Sequence, residues 1–323
     1  MALSAPERRL WRVSMSTYAY LGPPGTFTEA ALRTVPGTSE ATLAPRSSVP
    51  AALEDVRAGA AAAALVPIEN SVEGAVPVTL DELASGHLVI VREVLLPVSF
   101  ALLMRPGGEL ESCKRVATHP HAAAQTRKWL ARTLPDAELM HTSSTAAAAA
   151  ALTEPNSPYD AAIAPLVAAE RYQLRVVADK IEDNPDALTR FVLVARPTDQ
   201  GGPTGADKTS VVAFIRDDHP GALLEILDEF AVRGVNLTWI QSRPTGFGLG
   251  RYCFSIDCEG HLAEARVAEA LMGLRRVCAD VRFLGSYPRA DGVPATLRSG
   301  TTDADFAQAA NWLADLRNAR PTD

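Results

Sequence analysis

Cysteine is scarce and scattered. Only Cys113, Cys253, Cys258 and Cys278 occur in 323 residues, and no two form a Cys-x-x-Cys pair. That pattern excludes a disulfide framework and points to reduced thiols in a cytoplasmic protein. Long apolar runs are lacking too, so no segment reads as a membrane span. The first residues carry Arg8, Arg9 and Arg12 but no apolar core, so they are not a secretory signal. Residues 1–16 are expected to be a disordered extension. Runs of basic residues are missing and the net charge is −7, which argues against a nucleic-acid partner held by phosphate contacts. His119 and His121 have no acidic or cysteine partner at ligand spacing, so no metal is expected.

Apolar residues make up 47% of the chain and charged ones 21%, a globular profile at a length that suits two domains. Alanine runs at 60–64 and 146–151 fit helices and buried strands. Residues 197–207 (Pro197-Thr198-Asp199-Gln200-Gly201-Gly202-Pro203 and the four after them) lose all apolar periodicity and read as a linker. Before it, in residues 17–196, strand-like and helix-like segments alternate. Strands are expected at 18–21, 62–66, 115–118, 138–140, 161–164 and 192–195. Helices are expected at 27–33, 49–58, 77–84, 122–131 and 145–152, and a long extended passage at 88–104 breaks at Pro97. The alternation implies an α/β fold with largely parallel sheets. After the linker, residues 208–288 follow a β-α-β-β-α-β rhythm with a turn at Thr245-Gly246-Phe247-Gly248, a ferredoxin-like module. Residues 289–323 form a tail with one helix, expected at 303–317.

Polar residues gather where apolar strands end, the usual place for small-molecule chemistry on α/β scaffolds. In Gly22-Pro23-Pro24-Gly25-Thr26-Phe27, a strand turns into a helix whose first amides and Thr26 hydroxyl suit an anion. Thr26 with Glu29 equally reads as a capping box. The run lacks the third glycine of a dinucleotide fingerprint. In Pro67-Ile68-Glu69-Asn70-Ser71, Glu69 can steer a proton while Asn70 and Ser71 bind a carboxylate or cap the next helix. Thr118-His119-Pro120, with Gln125 on the following helix, repeats the pattern, His119 orienting the loop. In Thr189-Arg190-Phe191, a hydroxyl and a guanidinium stand at a strand mouth, the one able to donate to a leaving oxygen and the other to grip a carboxylate or face solvent.

These four motifs, in this order and followed by the second module, resemble the prephenate dehydratases over roughly residues 17–288. The resemblance implies a two-lobed catalytic region, periplasmic-binding-protein-like with a cleft between its lobes, and a ferredoxin-like ACT regulatory domain. It implies conversion of prephenate to phenylpyruvate, water and CO2, with no cofactor. Thr189 and Glu69 are the rival proton sources. Thr26, Asn70, Ser71, Thr118, Gln125, Arg190 and Phe191 are expected to hold the substrate. His219, Gly221, Ala222, Leu223 and Leu224, with Asn236, Gln241 and Ser242, match segments that bind phenylalanine. Gln241 stands where the family usually has glutamate. The resemblance further implies feedback inhibition and a homodimer or homotetramer. A non-catalytic amino-acid sensor with an ACT module is the alternative.

Overall fold

The computed structural model describes residues 16–197, 201–245 and 252–318. The chain divides into two compact units: one comprises the N-terminal residues through Glu82 together with Val94–Arg196, the other Leu83–Glu93 together with Pro197–Asp323.

The N-terminal region contains eleven strands and seven helices among the described residues. They run β1 (Thr17–Leu21), α1 (Phe27–Arg33), β2 (Thr42–Arg46), α2 (Val49–Arg57), β3 (Ala63–Asn70), β4 (Gly74–Ala75), α3 (Pro77–Ser85), β5 (Val89–Pro97) and β6 (Ala101–Met104). After a 3-10 turn at Leu110–Ser112 come β7 (Arg115–Thr118), α4 (Pro120–Gln125), α5 (Arg127–Thr133), β8 (Glu138–His141), α6 (Thr145–Leu152), β9 (Ala161–Ala164), α7 (Leu166–Tyr172), β10 (Arg175–Ala178) and β11 (Leu188–Ala195). Two sheets result. One has the order β2-β1-β3-β11-β5, with β4 beside β3; the other runs β10-β6-β9-β7-β8. Each sheet anchors one lobe. The chain leaves the first sheet after β5 and returns to it only with β11, so both lobes need both halves of the region.

Strand patterning follows burial. Residues 63–66 of β3 and 192–194 of β11 are fully buried and read as unbroken apolar runs, as expected for strands covered on both faces. The sheets are mixed rather than largely parallel. β1 runs parallel to β2 and β3, but β11 pairs antiparallel with β3, and β6 antiparallel with β9. The helix expected at 122–131 is two helices. Thr126 turns its hydroxyl back onto the Ala122 carbonyl at 2.8 Å and adopts φ −122° and ψ 10°, which ends α4. The strand expected at 192–195 begins four residues earlier, which puts Thr189 inside it.

The second unit holds β12 (Asp207–Phe214), α8 (Ala222–Ala231), β13 (Leu237–Pro244), β14 (Tyr252–Glu259), α9 (Ala265–Val277) and β15 (Asp280–Pro288). The sheet order β13-β14-β12-β15 is antiparallel throughout, a ferredoxin-like β-α-β-β-α-β arrangement. Ile226 and Phe230 of α8 pack with Val267, Ala270 and Leu274 of α9 over Val211, Ala213 and Ile256 of the sheet. α10 (Asp303–Asn318) follows and buries none of its residues. The turn expected between β13 and β14 falls largely on residues 246–251, outside the described residues, as does the expected extension at 1–15.

Leu83–Glu93 joins this unit through close contacts. A Cβ on Gly285, whose φ is +133°, would run into the Ile90 carbonyl oxygen, so only glycine admits the approach. The Glu93 carboxylate is 2% exposed; it pairs with Lys208 at 2.8 Å and accepts the Ala290 amide at 2.9 Å. All four cysteines are free and buried. Burial pushes the Cys113 and Cys278 thiols up to about 11 and the Cys258 thiol up to about 12. Among the described residues, no helix is long and apolar enough to cross a membrane.

Candidate active site and effector pocket

The register of β11 against β3 sets Thr189 opposite Asn70 and Arg190 opposite Glu69. Asn70 Nδ2 donates to Thr189 Oγ1 at 2.8 Å. The Asn70 side-chain oxygen is occupied elsewhere: it accepts the amides of Val72 at 2.8 Å and Glu73 at 3.0 Å, an Asx turn that fixes which end of the amide faces Thr189. Ser71 fastens the strand start, its amide donating to the Leu188 carbonyl and its hydroxyl accepting the Leu188 amide, both at 2.9 Å. Successive residues of a strand face opposite sides of the sheet. The Glu69–Arg190 pair therefore faces away from the Asn70–Thr189 pair. Arg190 is 6% exposed, so it does not face solvent; Phe191 beside it is buried in the core.

The turn from β1 to α1 is held by a buried carboxylate. Thr26 is the N-cap: its hydroxyl accepts the Glu29 amide at 3.4 Å and donates to the Leu21 carbonyl at 3.3 Å. In a capping box Glu29 would return to the cap's own amide. Instead it reaches one residue further back, to the Gly25 amide at 2.6 Å. Arg33 pairs with the same carboxylate at 2.6 Å, and the Tyr20 hydroxyl donates to it at 3.3 Å. Burial opposes this charge, but the Gly25 amide and Arg33 outweigh burial and hold the carboxyl below its usual range. The other lobe meets the turn directly. Tyr172 of α7 donates to the Pro24 carbonyl at 2.9 Å, and the rings of Phe27 and Phe100 meet edge to face at 5.3 Å.

At the end of β7, Thr118 is fully buried and its hydroxyl donates to the Ile163 carbonyl at 2.8 Å, which ties β7 to β9. His119 caps α4, its Nδ1 accepting the His121 amide at 3.3 Å. Burial, then His121 and His141, push the His119 pKa down. Gln125 ends α4, and its Oε1 is buried without a hydrogen-bond partner among the described residues. An orphaned acceptor of this kind asks for a donor from a ligand or a water. Glu73, whose amide Asn70 holds, approaches His121 at 3.8 Å. Register joins the second motif to the fourth, and the approach of Glu73 to His121 brings the residues that follow the second and third motifs together. Nothing in the sequence flagged Tyr172 as a contact of the first motif, because 148 residues separate it from Pro24.

In the second unit an open pocket of about 420 Å3 lies at the start of α8. His219, Gly221, Ala222, Leu223 and Leu224 all line it, as do Asp218, Tyr252 and Phe254, which the sequence did not single out. Gly221 stands at φ +96° as the helix N-cap. Asn236, Gln241 and Ser242 are not among its lining residues. They lie just before and along β13, the edge strand, where the Gln241 amide donates to the Ser242 carbonyl at 3.2 Å and the Asn236 carbonyl accepts the Glu259 amide at 2.9 Å.

A two-lobed α/β region with a hydroxyl, amides and a guanidinium at its strand ends, joined to a ferredoxin-like module with its own pocket, defines an enzyme of small-molecule metabolism. Residues 18–199 match the family model for prephenate dehydratase. A prephenate dehydratase from Amycolatopsis methanolica is 50% identical over 305 residues, which cover 94% of this chain and 98% of the relative. The crystal structure of a prephenate dehydratase in complex with L-Phe, from Arthrobacter aurescens, is 56% identical with a TM-score of 0.90, covering 94% of this chain and all of the other. A further solved structure, described as a novel type of quorum-quenching acylase named GqqA, is 31% identical with a TM-score of 0.77, covering 84% of this chain and 97% of that one. The chain belongs to the prephenate dehydratase family. It is a carbon–oxygen lyase of phenylalanine biosynthesis that converts prephenate to phenylpyruvate, water and CO2.

Proposed function

We propose that Thr189, oriented by Asn70, assists departure of the ring hydroxyl of prephenate. The observation that carries this is the 2.8 Å bond from Asn70 Nδ2 to Thr189 Oγ1. With a lone pair engaged by Asn70, the Thr189 proton is directed to another acceptor. In the reaction the bond to the ring carboxylate breaks to release CO2. Its electrons move through the ring and expel the hydroxyl, which takes up one proton and leaves as water. A neutral hydroxyl is a poor acid, so Thr189 acts mainly as a preorganised hydrogen-bond donor to the leaving oxygen. Glu69, on the opposite face of the strand pair, is the less favoured source. Thr26 and the amides after Gly25, with Ser71, Thr118 and Gln125, form the cradle for the dianion, Thr118 accepting through its lone pair. Arg190, on the face of Glu69, and the buried Phe191 are better suited to shaping the strand end than to touching the dianion.

The pocket at α8 takes phenylalanine. The relative from Arthrobacter aurescens was solved with L-Phe, and the five residues expected from the sequence on this side line one cavity here. Asn236, Gln241 and Ser242 sit by the free edge of the sheet, so a second copy paired at β13 brings them to the same ligand. The assembly is a homodimer or homotetramer built on that edge, working in the cytoplasm, with 208–288 as the regulatory module and 17–196 as the catalytic region. Phenylpyruvate absorbance in base, measured after mixing purified protein with prephenate, tests the whole scheme. Turnover that falls on adding phenylalanine is expected; turnover indifferent to phenylalanine removes the regulatory half.

A further inference from the structure

We infer that Asp218 selects the amino acid over the reaction's own product at the effector pocket, an inference that rests on the phenylalanine reading of that pocket. Phenylalanine and phenylpyruvate share a phenyl ring and a carboxylate and differ at one carbon, which carries an ammonium in one and a carbonyl in the other. The pocket's apolar wall of Ile215, Leu223, Leu227 and Phe254 accommodates a ring. The Ala222 amide is held by the His219 carbonyl at 3.0 Å, and the amides that follow it at the start of α8 accommodate a carboxylate. Neither feature distinguishes the two molecules, so a site built from them alone would respond to product as readily as to end product.

A negative charge distinguishes them most strongly, because it attracts an ammonium and repels a carbonyl oxygen. Among the described residues, Asp218 is the only carboxylate lining this pocket, and it has no ion-pair partner. The neighbouring acids are placed elsewhere. Asp217 and Glu225 line the smaller adjoining pocket of about 230 Å3, and Glu225 faces His219 at 3.8 Å. A fixed carboxylate attracts the ammonium and repels a ligand that brings only a carboxylate of its own, so one residue acts in both directions. Asp218 is exposed, and water screening keeps the effect near tenfold rather than thousandfold.

Calorimetric titration of the full chain with L-phenylalanine and with 3-phenylpropionate, which has the ring and carboxylate but no ammonium, tests this. The wild-type chain is expected to prefer phenylalanine by about tenfold or more. In Asp218→Asn that preference should collapse, while 3-phenylpropionate still binds and so reports an intact pocket. Asp218→Glu, which keeps the charge, should keep most of the preference. An Asn variant with the wild-type preference, or a Glu variant without it, overturns the inference while leaving the phenylalanine site standing. A wild-type chain that binds neither ligand overturns the effector site and this inference with it.

Discussion

A hydroxyl becomes a directed donor when its own lone pair is occupied, and Asn70 does this for Thr189. Thr189→Ala is expected to lower kcat by about 10² or more, in line with the loss of a positioned proton donor. Thr189→Ser should retain part of the activity, and Asn70→Ala should lose about tenfold through Thr189 alone. Glu69→Gln should be milder than Thr189→Ala in the phenylpyruvate assay, and the reverse order would hand the proton to Glu69. Glu29 makes a separate prediction. Its folded pKa lies below its ordinary value of 4.5, so its stabilising contribution is complete above that value and disappears as pH falls through the folded pKa. Thermal melts from about pH 7 to about pH 3 should show Glu29→Gln losing stability at the upper end and converging on wild type at the lower end. The residue types of the site were legible in the sequence, because hydroxyls and amides at the ends of apolar strands stand out. Their pairing was not. Asn70 and Thr189 are 119 residues apart, and only the register of β11 on β3 joins them.

Elements were legible where periodicity was strong and obscure where it was weak. The α8 and α9 helices have apolar residues recurring at helical spacing; the sequence places them at 221–233 and 262–274, within three residues of their observed ends. The missed strands are edge strands. β2 carries Pro45, which cannot donate to a sheet ladder, and β10 borders only β6. α7 was missed because its seven residues show no period and follow Pro165 without a side-chain cap, whereas α1, equally short, is marked by the cap at Thr26. The break at Thr126 was hidden for another reason: the apolar pattern runs on through both helices, and what stops α4 is a side-chain hydroxyl competing for a backbone carbonyl. β13 shows burial alternating residue by residue along an edge, with Ile240 40% exposed. If that edge carries the proposed pairing, Ile240→Lys should shift the particle to smaller mass by light scattering and weaken the phenylalanine response together. Unchanged mass would place the interface elsewhere.

For the whole molecule, chain order and compact units do not coincide. Leu83–Glu93 runs from the end of α3 to the middle of β5 in sequence, yet it belongs with Pro197–Asp323. No compositional signal marks those eleven residues, since they read simply as the end of a helix and the start of a strand, and their membership depends on what Gly285, Lys208 and Ala290 touch. The ferredoxin-like module is therefore not a portable cassette. A fragment cut at the linker would leave Lys208 without its counter-ion and strip Gly285 of the backbone it lies against. Such a fragment should melt several degrees below the same fragment supplied with a synthetic peptide of residues 83–93. Equal melting points would mean that the module closes on itself. Transplanting the regulator onto another enzyme would have to carry this strap with it, so gene fusion at the linker alone would not make a regulated chimera.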